Sequence, residues 1–356
     1  MRVIQLIDSL QLGGAERMAV NYANALSAHI DGSYLCATRL EGDLKDTIVP
    51  GVGYVFLNRK RTFDYKAIQK LAAFIKKESI QCIHAHGSSY FMATLLKMKM
   101  PELKLVWHNH LGSSASLKGI PLKTLKWASR YFDCIIGVNK DLVLWAQTVL
   151  KHENVQYLSN FVAFDDPKDI VSKTVNQGKK IVCLANLKEP KSHLFLLKSF
   201  SKVVSSITDA VLHLVGTDYN DAYSDELKEY IGVHKMDMQV HIHGAIAAPE
   251  TILNQCAIGV LSSSSEGLPM ALLEYGRANL AVITTAVGEC PEVIGAFGKT
   301  VDYGNTNALA EAIIQYLEDS VLRINESTLF NQHVRQMYSD STIINQVIAL
   351  YRKINV

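Results

Sequence analysis

The 356-residue chain contains no run of 18 uninterrupted apolar residues, so no segment reads as a membrane-spanning helix. Its opening residues, MRVIQLID, lack the apolar core and the small-residue cleavage site of a secretory signal. Cysteine is sparse and scattered: Cys36, Cys82, Cys134, Cys183, Cys256 and Cys290 form no C-x-x-C pair, and most fall inside apolar runs. That pattern argues against a zinc site and for a reducing compartment, so the expected location is cytoplasmic. No basic helix is laid out for a groove and no RNA-binding aromatic signature occurs, so nucleic acid is not an expected partner. Short-period repeats and low-complexity tracts are also missing.

What is present is a globular composition, 48% hydrophobic and 20% charged, at a length that suits two domains. The net charge of +2 hides an uneven distribution. Residues 1–160 carry 20 Lys+Arg against 12 Asp+Glu, and residues 161–356 carry 16 against 22. A basic half of this kind suits an anionic membrane surface or a phosphorylated lipid.

In the first half, the segments RVIQLID, GSYLCATR, IQCIHAH, KLVWHNH, DCIIGV and NVQYLS read as strands. Between them, AERMAVNYANALSAH and DYKAIQKLAAFIKKE repeat apolar residues at three and four, which predicts helices. Strand and helix in alternation imply a parallel sheet covered on both faces. The alternation stops in the polar stretch NFVAFDDPKDIVSKTVNQGKK, the linker candidate, and resumes with KIVCLA, AVLHLVG, MQVHIHG, AIGVLSS and LAVITT. The expected domains are residues 1–160, a linker 161–178, and a second domain 179–338. A closing helix, 339–356, is expected to pack back on the first domain.

In open parallel sheets, ligands bind beyond the carboxyl ends of the strands, so the residues that follow each strand are the candidates. Gly13 and Gly14 follow the first strand and open a helix, where close backbone approach and free amides suit a phosphate; the plain alternative is a turn. His84 with His86, and His108 with His110, sit at two strand ends in alternate spacing, which puts each pair on one face. A four-histidine metal site is the less favoured reading, because no carboxylate lies close in sequence; binding hydroxyls or moving a proton suits these residues as well. Lys188 and Lys191 stand at another helix start, against its dipole, and an anion between them would settle both. Solvated surface lysines are the alternative. Finally, LSSSSEGLPMALLEYGRANL reads as a strand end, an exit loop and a helix with proline in its first turn. Its carboxylates, Glu266 and Glu274, could act as acid and base, as metal ligands or as acceptors for a polyol, alongside the backbone amides of Gly267, Leu268 and Met270.

Taken together, these residues resemble the GT-B glycosyltransferases, specifically glycosyltransferase family 4. The resemblance runs from LGGAER through HAHG, KEPKSH and SSSSEGLPMALLEYGRA to GECPEVI, and its most specific element is the E-x7-E spacing inside SEGLPMALLEYGRA. It implies an α/β GT-B fold, two Rossmann-like domains facing each other across a cleft, with the acceptor on the first and the nucleotide-sugar donor on the second. It also implies roles for individual residues. Gly13 and Gly14 give the donor diphosphate room, and Lys191 neutralises charge on the departing diphosphate, with Lys188 beside it. Glu266 and the residues after it, Gly267, Leu268 and Pro269, hold the donor sugar, and Glu274 takes the ribose hydroxyls. Glu292 matches a later acidic position, and His110 or His86 matches the histidine of the acceptor face. Many members carry arginine where this chain has Asn186, a charge that Lys188 would have to supply. Glycine is usual at the position of Asn279, and asparagine tolerates a left-handed backbone there.

The expected activity is therefore retaining hexosyl transfer from a nucleotide sugar, a UDP-sugar by preference, with Glu266, Lys191 and His110 as catalytic residues and no metal or other cofactor. The expected acceptor is a glycan or lipid-linked glycan of bacterial surface polysaccharide synthesis: capsule, O-antigen or exopolysaccharide. The segment SLKGIPLKTLKWASRY, with Lys118, Lys123, Lys126 and Arg130, is the candidate for peripheral contact with an anionic membrane; a core-packed helix with a basic outer face is the alternative. A nucleotide-sugar 2-epimerase and a non-catalytic nucleotide-sugar-binding subunit are the rival readings.

Overall fold

The computed structural model describes residues 1–110, 117–164, 178–246 and 248–356. The chain forms two compact units, Met1–Ala163 together with Asp340–Val356, and Phe164–Ser339. Most of the expected linker, residues 165–177, lies outside the described residues.

The first unit is built on seven strands: β1 (Arg2–Ser9), β2 (Gly32–Leu40), β3 (Val52–Phe56), β4 (Cys82–His86), β5 (Lys104–Asn109), β6 (Cys134–Gly137) and β7 (Val155–Tyr157). They lie in the order β3-β2-β1-β4-β5-β6-β7, and every pairing is parallel. β4 is buried along its whole length, as a strand covered on both faces must be. β3 was not expected from the sequence; VGYVF is short, interrupted by Gly53 and preceded by a turn. The helix Gly14–Leu26 buries Met18, Ala19, Tyr22, Ala23 and Leu26. The helix Tyr65–Lys77 begins at Asp64, whose carboxylate accepts from the amide of Ala67. The final helix, Asp340–Lys353, is part of this unit and buries Ile343, Ile344, Val347 and Tyr351.

The second unit has six parallel strands: β8 (Lys180–Leu184), β9 (Val211–Val215), β10 (Val240–Ile242), β11 (Ile258–Leu261), β12 (Ala281–Thr285) and β13 (Lys299–Val301), in the order β10-β9-β8-β11-β12-β13. Only the three-residue β13 escaped the sequence reading. The helix Met270–Arg277 is locked to the sheet by Tyr275, whose buried hydroxyl donates to the Val260 carbonyl and accepts from the Leu184 amide. One side chain thus ties β8 and β11 together, and Gly259 leaves the room its ring needs.

In both sheets the chain reverses its direction of winding once, between β1 and β4 and between β8 and β11. Loops leaving such a pair diverge to opposite faces and open a crevice at the carboxyl ends of the strands. Gly13 and Gly14 follow β1, His110 follows β5, Lys188 and Lys191 follow β8, and Glu266 and Glu274 follow β11, whereas His84, His86 and His108, expected just beyond their strands, lie buried within β4 and β5.

All six cysteines are buried thiols. Among the described residues, no helix is long and apolar enough to cross a membrane. In the basic segment, the helix Gly119–Ala128 buries Leu125, and Leu117, Leu122 and Trp127 pack against the core. Lys118, Lys123, Lys126 and Arg130 are exposed, and of the segment's large apolar side chains Ile120 stands out, 79% exposed.

Candidate active site

In the second unit the loop after β8 and the loop after β11 form one hydrogen-bonded structure. Lys191 Nζ lies 2.6 Å from Glu266 Oε1, and the Glu266 side chain is only 8% exposed. Ser263 Oγ donates to the same oxygen at 2.5 Å. The neighbouring serines bind the lysine loop through its backbone: Ser262 Oγ donates to the Lys191 carbonyl at 3.1 Å, and the Ser264 amide donates to the Pro190 carbonyl at 2.8 Å. Thr285, at the end of β12, donates to the Ser263 carbonyl at 2.6 Å. The serine run, which read from sequence only as a strand end, is what joins the two loops.

Glu266 is held from the other side by the loop that follows β12. The amide of Glu289 donates to the Gly267 carbonyl at 3.1 Å, and Gly288, at φ +52, lies against the Glu266 carbonyl with no space for a side chain. The helix starts at Met270 with Pro269 as its cap residue rather than inside its first turn, which puts Glu274 just past one turn. Glu274 is 7% exposed, and Leu268, two residues after Glu266, is also buried. Glu266 and Glu274 thus belong to one rigid loop-and-helix unit. Asn279 takes φ +59 after the helix end, the left-handed conformation that asparagine tolerates.

Lys188 and Lys191 do not converge. Lys188 is exposed, and its Nζ stands 5.4 Å from the centre of the Tyr219 ring. Asn186, at the family's arginine position, accepts from the Thr217 amide at 2.9 Å and pins the loop to the end of β9. Glu292 is exposed on the short helix Cys290–Ile294. His193, which the sequence reading passed over, is fully buried two residues after Lys191. Its amide and Nδ1 both meet the Tyr223 hydroxyl, at 2.8 and 3.1 Å, and burial pushes its pKa down to about 4.

In the first unit, Gly13 caps the helix Gly14–Leu26 in extended conformation and provides no side-chain cap. The Glu16 carboxylate folds back into the space beside Gly13, where an anion approaching the helix start would have to displace it. A second group near this edge had no signal in sequence. Asp8, at the end of β1, accepts from Arg59 Nη2 at 2.7 Å, from Ser88 Oγ at 2.8 Å and from Thr38 Oγ1. Arg59 is 5% exposed, so this charge pair is structural in its surroundings.

The four histidines form a ladder on one face of β4 and β5. His84 Nε2 meets His108 Nδ1 at 3.1 Å, and His86 Nδ1 meets His110 Nε2 at 2.9 Å. The two pairs stack, His84 on His86 at 4.6 Å and His108 on His110 at 4.0 Å between ring centres. The outer nitrogens are also engaged: His84 Nδ1 with the Tyr351 hydroxyl at 2.6 Å and His86 Nε2 with Gln5 Oε1 at 2.8 Å. Tyr22 covers the ladder, 5.2 Å from His84 between ring centres. Burial holds His86 and His108 well below the ordinary histidine range, and His84 and His110 down to about 3, so all four are neutral near pH 7.

The ring nitrogens of His84, His86 and His108 lie within 4.8 Å of one another, close enough for a metal to be considered. Both nitrogens of His84 and of His86 already carry hydrogen bonds, which leaves His108 Nε2 as the one unengaged ligand atom of the three. In this arrangement the rings form a neutral hydrogen-bond ladder, whose bonds at His84 and His86 a metal would have to displace. His110, at the ladder's end, is the member that reaches partial exposure.

Residues 12–165 match the family described as Glycosyltransferase Family 4, and residues 178–319 match Glycosyl transferases group 1. The chain is 23% identical over 317 residues to the N-acetyl-alpha-D-glucosaminyl L-malate synthase of Bacillus anthracis, covering 81% of this chain and 79% of that protein. It is also 23% identical over 311 residues to the O-antigen biosynthesis glycosyltransferase WbnH of Escherichia coli, covering 83% and 85%. Among solved structures, Anabaena HepE in complex with UDP and glucose superimposes with a TM-score of 0.80 at 16% identity, over 99% of this chain and 100% of that one. That likeness establishes the fold as GT-B. With both sheets wound in this way and both matched segments in place, the chain belongs to the family 4 glycosyltransferases.

Proposed function

We propose that this glycosyltransferase moves a hexosyl group, with retention, from a UDP-sugar to a glycan or lipid-linked glycan acceptor during bacterial surface polysaccharide assembly. The observation that carries the reading is the Lys191–Glu266 pair, fixed by the serine loop at the switch point of the second sheet. On donor binding, Lys191 turns to the diphosphate and Glu266 accepts from the sugar hydroxyls that replace it. As the bond from the sugar to the diphosphate breaks, negative charge grows on the leaving oxygen, and the Lys191 ammonium stabilises it. The acceptor hydroxyl then attacks from the face the diphosphate leaves and passes its proton to the departing diphosphate oxygen, which preserves the anomeric configuration. Glu274 is assigned to the ribose. This division of labour needs no metal, because a lysine provides the countercharge.

The choice of UDP draws on HepE, whose structure holds UDP and glucose, and the choice of acceptor draws on WbnH, named for O-antigen biosynthesis. The acceptor side is assigned to the first unit, at His110; His86, the other sequence candidate, is buried with both ring nitrogens engaged and stands behind it. Peripheral contact with an anionic membrane is assigned to the exposed Lys118, Lys123, Lys126 and Arg130 around Ile120. Incubation with UDP-sugars and a bacterial membrane extract, followed by NMR of the product's anomeric proton, tests the reaction. An α-linked product from an α-linked donor supports retention, and an inverted product contradicts it. Sedimentation with liposomes tests the membrane contact: recovery must be higher with anionic than with neutral vesicles.

A further inference from the structure

The two pairs of the histidine ladder end in different groups, and the difference has a chemical consequence. The His84–His108 pair ends on the Tyr351 hydroxyl, which can donate or accept, so it leaves the direction of that pair open. The His86–His110 pair ends on Gln5 Oε1, an amide oxygen that only accepts. Gln5 lies on β1 directly beside His84 of β4, and it is fully buried.

We infer that Gln5 is a positioning residue that fixes the tautomer of His110 through His86. The steps follow from one proton per neutral imidazole. With the Gln5 amide oxygen turned to it at 2.8 Å, His86 carries its proton on Nε2. His86 Nδ1 is then a bare lone pair, and the contact at 2.9 Å requires His110 to donate from Nε2. His110 is left with an unprotonated Nδ1, which has no partner among the described residues. Both rings are neutral near pH 7 because burial disfavours their charged forms, so neither can donate from both nitrogens. His110 Nδ1 therefore presents an acceptor, able to take a hydrogen bond from a substrate hydroxyl and orient its oxygen. A glutamine at this depth, 105 residues before His110 in sequence, thus determines which half of the imidazole is offered.

This inference rests on the assignment of His110 to the acceptor side, and the two can fail separately. The test is long-range proton–nitrogen correlation NMR on full-length protein with 15N-labelled histidine rings at pH 7, using His110→Gln and His86→Gln to assign the signals. Wild-type protein must show His86 and His110 both as the Nε2–H tautomer. Gln5→Met, which removes the acceptor, must abolish the single Nε2–H signature of His110, and Gln5→Glu, which keeps an acceptor at the same place, must retain it. A wild-type His110 protonated on Nδ1 overturns the inference, whether or not the variants fold, and so does a Gln5→Met spectrum identical to wild type. Should His110→Gln leave glycosyl transfer unchanged while the tautomers are as stated, the acceptor-side assignment fails and the control by Gln5 stands.

Discussion

Lys191 and Glu266, which lie on loops leaving different strands, meet at 2.6 Å with the carboxylate almost wholly enclosed. Each neutralises the other until a ligand supplies a diphosphate for the one and hydroxyls for the other. Lys191→Ala removes the countercharge for the leaving group, and we expect it to lower kcat by about 10²–10³-fold, the scale of a lost transition-state donor. Donor KM should change far less. Steady-state release of UDP measures both constants.

Gly288 supports this pair from below. Its φ of +52 and its contact with the Glu266 carbonyl leave no place for a side chain. Gly288→Ala should destabilise the protein by about 1–3 kcal/mol, from backbone strain and the displaced loop. Urea denaturation at pH 7 checks the stability, and calorimetric titration with UDP checks the accompanying loss of donor affinity.

The histidine ladder predicts an acid-sensitive fold. Its members have folded pKa values below the unfolded value of about 6.5, so the unfolded chain binds more protons as pH falls. Stability from the ladder is present above about pH 6.5 and is lost progressively toward pH 3, each histidine costing up to about 1.4 kcal/mol per pH unit in that window. Urea midpoints should fall steeply between pH 7 and pH 5. His84→Gln should flatten that dependence.

Since Lys191 provides the positive charge, UDP release should differ by no more than about twofold between EDTA and added magnesium. A coupled assay for free UDP in the two buffers decides. Collapse of activity in EDTA would return the diphosphate to a metal.

Much of this was legible in the sequence, for physical reasons that differ by element. Eleven strands and the long helices announced themselves through periodicity, because a parallel sheet buries both faces and leaves continuous apolar runs. β3 and β13 did not, since five and three residues hold too little pattern. Glu266, Glu274 and Lys191 were visible because their spacing is local to one loop and helix or to one helix start. The partnership of Lys191 with Glu266 was not, because it depends on serines whose hydroxyls bond across 70 or more residues. Gln5 and Asp8 lay equally out of reach: both act through side chains that only strand order brings together. In the Lys118–Arg130 segment the core-packed helix with a basic outer face, one of the two readings offered by the sequence, describes the packing: most of its apolar side chains face the core, and Ile120 and the basic side chains stay exposed.

The central claim is that Glu266 holds the donor sugar beside Lys191. Acceptor-dependent UDP release by Glu266→Ala, compared with wild type across a panel of UDP-sugars, tests it most directly. The account predicts a loss of at least about 10²-fold with secondary structure unchanged by circular dichroism. Release at the wild-type rate would contradict it.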